Sequence, residues 1–152
     1  GGDKKSFQKI KSTLDCYAKF SKLMGPSGTG QKTKMVNQIC IAGLLQGLAE
    51  GIFFSEKAGL NLKEVIEVIS KGAAQSWQME NRWETMSRDH YDHGFAVDHM
   101  RKDLNIAIDE ANKNGFDLEM TTLVDQFYKE VQTMGGSRWD TSSLLKRLHL
   151  NE

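Results

Sequence analysis

The segment GPSGTGQKTKMVNQ, Gly25 to Gln38, collects glycines, a lysine pair and two amides at spacings that chemistry can use. Glycines let backbone amides approach an anion at a helix start, where the macrodipole favours negative charge, so Gly28, Thr29 and Gly30 form a candidate cradle for a carboxylate or phosphate. Lys34 falls about one turn into that helix. A cation is disfavoured there, and Lys32 adds a like charge close by. If Lys34 is also shielded from water, all three effects favour the neutral amine that proton transfer requires. Asn37 and Gln38 share the helix face of Lys34 and are placed to orient a hydroxyl or carboxylate beside it.

The same segment resembles a Walker A loop with one residue too many. In G-x-x-x-x-G-K-[ST] the lysine follows the last glycine directly. Here Gln31 separates Gly30 from Lys32, which turns the ammonium by ~100° about the helix axis. Such a loop also follows a buried parallel strand, and the sequence from Gly30 onward reads as helix throughout. A Walker-type nucleotide site is therefore the remote alternative. The Rossmann fingerprint fails similarly, because Gly25, Gly28 and Gly30 are spaced G-x-x-G-x-G.

Around this segment the chain has 152 residues, enough for one domain with a core. Zero formal charge at pH 7 gives no electrostatic ground for nucleic acid or an anionic membrane as partner. The most apolar window, residues 39–54, contains Gln46 and Glu50 and is expected as a buried helix, not a membrane span. Cys16 and Cys40 lie in apolar stretches and are expected as reduced core thiols, as in a cytoplasmic protein. Asp89, His90, Asp92 and His93 read as a solvated polar loop, with no metal site expected.

Periodicity supplies the elements that must position Lys34. A helix is expected over residues 3–17 with Asp3 as N-cap, followed by a short strand over 19–24. A long helix over about 30–58 is apolar on most of its circumference and stops at Gly59. Asn61 caps the next, with Glu64 at the capping-box position. Met79, Trp83 and Met86 mark another; Asp98 opens one that Gly115 closes. Met120, Leu123, Val124, Phe127, Val131 and Met134 mark the next, and Leu144, Leu145 and Leu148 the last. The expected fold is all-α, five or six helices around one long central helix, preceded by a short helix-strand remnant. The chain is expected to open partway through a domain.

With these elements laid out, Gly25-x-x-Gly28-x-Gly30-x-x-x-Lys34-x-x-Asn37-Gln38 resembles the interdomain signature of the β-hydroxyacid dehydrogenase family. Gly94-Phe95 through Lys102-Asp103-Leu104 resembles the family's second block, and Gly1-Gly2-Asp3 through Phe7 is similar to the end of its cofactor domain. The resemblance implies a helical bundle of the 6-phosphogluconate dehydrogenase C-terminal-like type. It implies that residues 1–27 end an NAD(P)-binding Rossmann domain and that residues 28–152 form the substrate and dimerisation domain. Lys34 is then the general acid/base in the reversible oxidation of a small 3-hydroxy acid, closest to 3-hydroxyisobutyrate, with NAD or NADP. Gly28, Thr29, Gly30, Asn37, Gln38, Phe95 and Asp103 lie on the substrate side, and Lys102 approaches the cofactor. A homo-oligomer is expected. The glycine-rich dinucleotide fingerprint is not in these residues, so no turnover is expected from them alone. The alternative from another class is a non-catalytic helical oligomerisation module with the same fold.

Overall fold

The computed structural model describes residues 1–150. The chain divides into two compact units, Gly1–Asn37 and Gln38–Glu152.

In the first unit, helix α1 spans Lys4–Asp15, and the Asp3 side chain caps it by accepting from the Ser6 amide at 2.8 Å. The expected strand over 19–24 does not form; no strand occurs among the described residues. A strand is defined by its ladder to a neighbour, and an alternating pattern has no ladder to join when no second strand is present. Cys16 and Cys40 are free thiols as expected, but both are exposed, not core residues. Cys16 sits at the C-cap of a helix that buries no residue.

Helix α2, Thr29–Lys57, has 29 residues and is about 43 Å long. By length and composition it is apolar enough to cross a membrane. In the second unit it serves as a core helix: Ala42, Leu45, Ala49 and Ile52 are at most 1% exposed. They share a core with Met79 and Met86 of α4 (Trp77–Ser87), Met100 and Leu104 of α5 (Val97–Lys113), and Val124 and Tyr128 of α6 (Glu119–Thr133). Its burial is one-sided, since Val36, Leu44 and Phe54 are exposed. An apolar circumference thus did not mean an enclosed helix.

Gly59, at φ +67°, ends the chain's run after α2, and Asn61 caps α3 (Leu62–Ile69) by accepting from the Lys63 and Glu64 amides. The Asn61 side-chain amide in turn donates to Glu64 Oε1 at 3.2 Å. Ser76 caps α4 by accepting from the Met79 amide. A 3-10 turn, Thr141–Ser143, leads into α7, Leu144–Leu150. The fold is therefore all-helical over the described residues, apart from one isolated bridge between Ala96 and Asp140.

One helix start differs from expectation. Ala96, not Asp98, occupies the N-cap of α5, and no side chain caps it. The amides of Val97 and Asp98 donate instead to the carbonyls of Trp139 (2.9 Å) and Ser137 (3.1 Å). Distant backbone satisfies the orphan donors of the first turn, which frees Asp98 to accept from Gln132 Nε2 at 2.6 Å. Between α5 and α6, Arg101 makes a fork onto Asp125, with Nε and Nη2 each 3.0 Å from a carboxylate oxygen.

Candidate functional site

Entry into α2 is set by its loop. Gly28 adopts φ +95°, a left-handed conformation that a side chain would strain. The Pro26 carbonyl accepts both from the Thr29 amide (3.2 Å) and from its hydroxyl (2.7 Å). The first of these bonds commits the Thr29 amide, one of the backbone donors expected to form the anion cradle. Lys34 and Asn37 are exposed residues of α2, so burial within these residues does not supply the shielding expected for the lysine. Gln38, the next residue, is 2% exposed.

Gln38 is also where the two sequence blocks meet. Its Nε2 donates to Asp103 Oδ2 at 2.8 Å and lies 3.8 Å from Met100 Sδ, so both contacts fall on α5. The other carboxylate oxygen of Asp103 pairs with the ammonium of Lys102. The Asp103 side chain is 12% exposed and that of Lys102 is 63% exposed. A mostly sheltered carboxylate therefore braces an accessible cation on one side and a buried amide on the other.

The Gly94-Phe95 end of the second block depends on a residue that sequence reasoning missed. Asp140 is 1% exposed, and its carboxylate accepts from the Phe95 amide (2.8 Å), Arg82 Nε (3.2 Å), and the Ser142 amide (3.1 Å) and hydroxyl (2.6 Å). Its own amide donates to the Tyr91 carbonyl at 2.8 Å. Gly94, at φ +70°, passes so close that an added Cβ would sit 1.9 Å from Asp140 Oδ2. The glycine is thus required by a carboxylate 46 positions later in the sequence. The Phe95 ring, 37% exposed, lies 5.8 Å from the His99 ring. The only local sign of Asp140 is its short cap on Ser142; the contacts with Arg82 and Phe95 leave no pattern in sequence.

The structure thus joins Gln38, Lys102 and Asp103 directly and sets Phe95 on Asp140 within the second unit, while Lys34 and Asn37 are exposed residues of the first. In the Asp89–His93 loop, the His90 and His93 rings lie 5.3 Å apart, and Asp89 pairs with Lys146. Among the described residues no three His, Cys, Asp or Glu side chains gather as a metal site.

Comparison with known proteins adds the following. Residues 28–148 match the family model described as NAD-binding of NADP-dependent 3-hydroxyisobutyrate dehydrogenase. An uncharacterized oxidoreductase of Shewanella frigidimarina is 63% identical over 148 residues, covering 97% of this chain and 51% of the relative. The 2-hydroxy-3-oxopropionate reductase of Escherichia coli is 31% identical over 150 residues, covering 99% and 51%. A crystal structure of 3-hydroxyisobutyrate dehydrogenase from Salmonella typhimurium superposes with a TM-score of 0.86 at 26% identity, covering 95% of this chain and 51% of that one. The chain spans about half the length of the curated relatives it matches.

Proposed function

The chain belongs to the family of NADP-dependent 3-hydroxyisobutyrate dehydrogenases, and from that premise we propose that residues 28–152 are the helical substrate and dimerisation domain of an oxidoreductase acting on a small 3-hydroxy acid. The bundle is of the 6-phosphogluconate dehydrogenase C-terminal-like type, and residues 1–27 are the end of a cofactor domain. The observation that carries this reading is the Gln38–Asp103 hydrogen bond, which unites the two family-like sequence blocks across α2 and α5.

Lys34 takes the proton of the substrate hydroxyl as the carbinol carbon is oxidised and returns it in the reverse direction. Asn37, Gln38 and the Gly28–Gly30 turn orient the substrate, and Phe95 and Asp103 border it. The cofactor, NAD or NADP, supplies a hydride acceptor and donor when bound. Lys102 fits that group in this chain, since a braced but accessible ammonium complements phosphate or a carboxamide oxygen. Residues 1–152 hold no glycine-rich dinucleotide fingerprint, so turnover is expected from the longer protein and not from these residues alone. The exposed apolar residues Val36, Leu44 and Phe54 support self-association, and exposed free thiols suit a reducing cytoplasm.

The exposure of Lys34 favours one rival, a helical oligomerisation module that keeps the fold without the chemistry. Lys34→Ala in the full-length protein separates the two. A kcat for hydroxy-acid oxidation reduced by about 10²–10⁴-fold, read from nicotinamide absorbance with an unchanged melting temperature, is the expected result. Unchanged turnover removes the catalytic role.

A further inference from the structure

Helices α2, α3 and α4 leave an apolar groove of about 250 Å³ between them, wholly inside the second unit. Gly47 and Gly51 line it from α2, Val65 and Ile69 from α3, and Met79 from α4; among the described residues no charged side chain lines it. Its two hydroxyls are committed. Ser55 Oγ donates to the Gly51 carbonyl at 2.8 Å, and Ser76 Oγ accepts from the Met79 amide at 3.0 Å. Such a lining favours apolar atoms over water or a charged ligand. The glycines point the same way. Glycine weakens a helix interior, yet a Cβ added at Gly47 or Gly51 would meet no described atom within 4 Å. At Gly94 and Gly136, by contrast, a Cβ would clash with the chain itself.

Apolar surface continues past the groove. Phe54, 69% exposed, stands one turn beyond Gly51, Val68 one turn from Val65, and Trp77 next to Ser76; Leu44 and Ile69, in the lining, are also exposed. Together these five leave on the order of 500 Å² of apolar surface bare. A standard interface takes about 800 Å² from each partner, a little over half of it apolar. The patch therefore matches what one side of a stable dimer supplies.

We propose that a second copy of this chain covers the patch, with Phe54 of each copy seated on Gly47 of the other at the mouth of the groove. The inference deepens the self-association proposed above by naming its surface. Gly47 and Phe54 are seven residues apart on α2, two turns, and so share one face. Two α2 helices crossing antiparallel about a dyad between these positions bring the large residue of each onto the small one of the other, twice. Glu50 stands to the side of that line, where Gln46 Nε2 holds its carboxylate at 2.6 Å. An uncharged groove gives an acidic or basic partner nothing to pair with.

The test measures the mass of the full-length protein by sedimentation at several concentrations. The parent should be a dimer or a larger even assembly. Gly47→Leu and Phe54→Ala should each halve that mass at micromolar concentration, with the dissociation constant raised at least about 100-fold. G47L/F54A restores a large residue opposite a small one and should recover the parental mass, which loss of an unrelated contact would not do.

A monomeric parent overturns the proposal; if benzene then raises its melting temperature, the groove takes a small apolar molecule instead. Parental mass in both single variants overturns it too, because the copies would meet elsewhere. So does a double variant no better associated than the singles. If Gly47→Leu does not fold, Phe54→Ala decides alone, since its side chain is mostly outside the core. Halved mass in the variants of a parent that oxidises no hydroxy acid would uphold the interface and sink only the dehydrogenase reading.

Discussion

Asp140 and Lys34 each follow a glycine-bearing turn, and the fold treats their charges in opposite ways. Asp140 is 1% exposed and accepts from four donors, whereas Lys34 is an exposed residue of α2. A buried carboxylate with satisfied donors organises the segments around it and is closed to substrate. An exposed ammonium contributes little to folding and stays within reach of a reactant. The difference teaches that the carboxylate that sets the Phe95 segment is enclosed, whereas the lysine proposed as general acid/base is not.

That separation has measurable consequences for stability, read by denaturant unfolding. Asp140→Ala should cost about 3–5 kcal/mol, because it leaves Arg82 and the Phe95 amide without their acceptor. Gly94→Ala should approach the same value through clash and a left-handed backbone. A loss under about 1 kcal/mol in either would contradict the place given to Asp140. Arg101→Met is next, at about 2 kcal/mol, since it strips the fork from Asp125 and its contact with Gln132.

The buried phenols sharpen the contrast through pH. Burial raises the Tyr128 hydroxyl above its ordinary value, with Asp140 adding to the rise, and burial does the same at Tyr91, aided by Asp89 and Glu56. The folded value is raised, so stability is fully present below the unfolded value of about 10 and is lost as pH climbs toward the folded one. Each tyrosine should steepen alkaline unfolding by about 1.4 kcal/mol per pH unit above that point. Tyr128→Phe should flatten the slope while losing the 3.1 Å hydrogen bond to the Thr141 carbonyl. Asn61→Ala should cost about 1 kcal/mol by uncapping α3. Lys34→Ala should change stability by less than about 0.5 kcal/mol; a larger loss would place it among the structural residues and erase the contrast.

Much of the helical layout was legible because its signals are local. Asp3 and Asn61 cap helices where the sequence placed them, and Gly59, Gly115 and Gly135 end helical segments at positive φ. The failures share one cause. The cap of α5 was misplaced because Ser137 and Trp139 supply its acceptors from afar, and the strand failed because a ladder needs a second partner. Met120 and Leu123 fit the α6 periodicity yet remain exposed, while Thr121 and Asp125 are buried on the helix's other side. Periodicity identifies a helix, but neighbouring elements choose the face that is covered.

Residue type and spacing by themselves settled the helical character, the caps at Asp3 and Asn61, and the presence of Lys34, Asn37 and Gln38 on one helix, because these depend on interactions within a turn or two. Tertiary structure alone decided that Gln38 turns its nitrogen to Asp103, that Gly94 must lack a side chain, and that Asp140 is the acceptor around which the Phe95 segment is set. Those choices depend on donors and acceptors brought together from distant positions, and a linear pattern carries no record of which ones will meet.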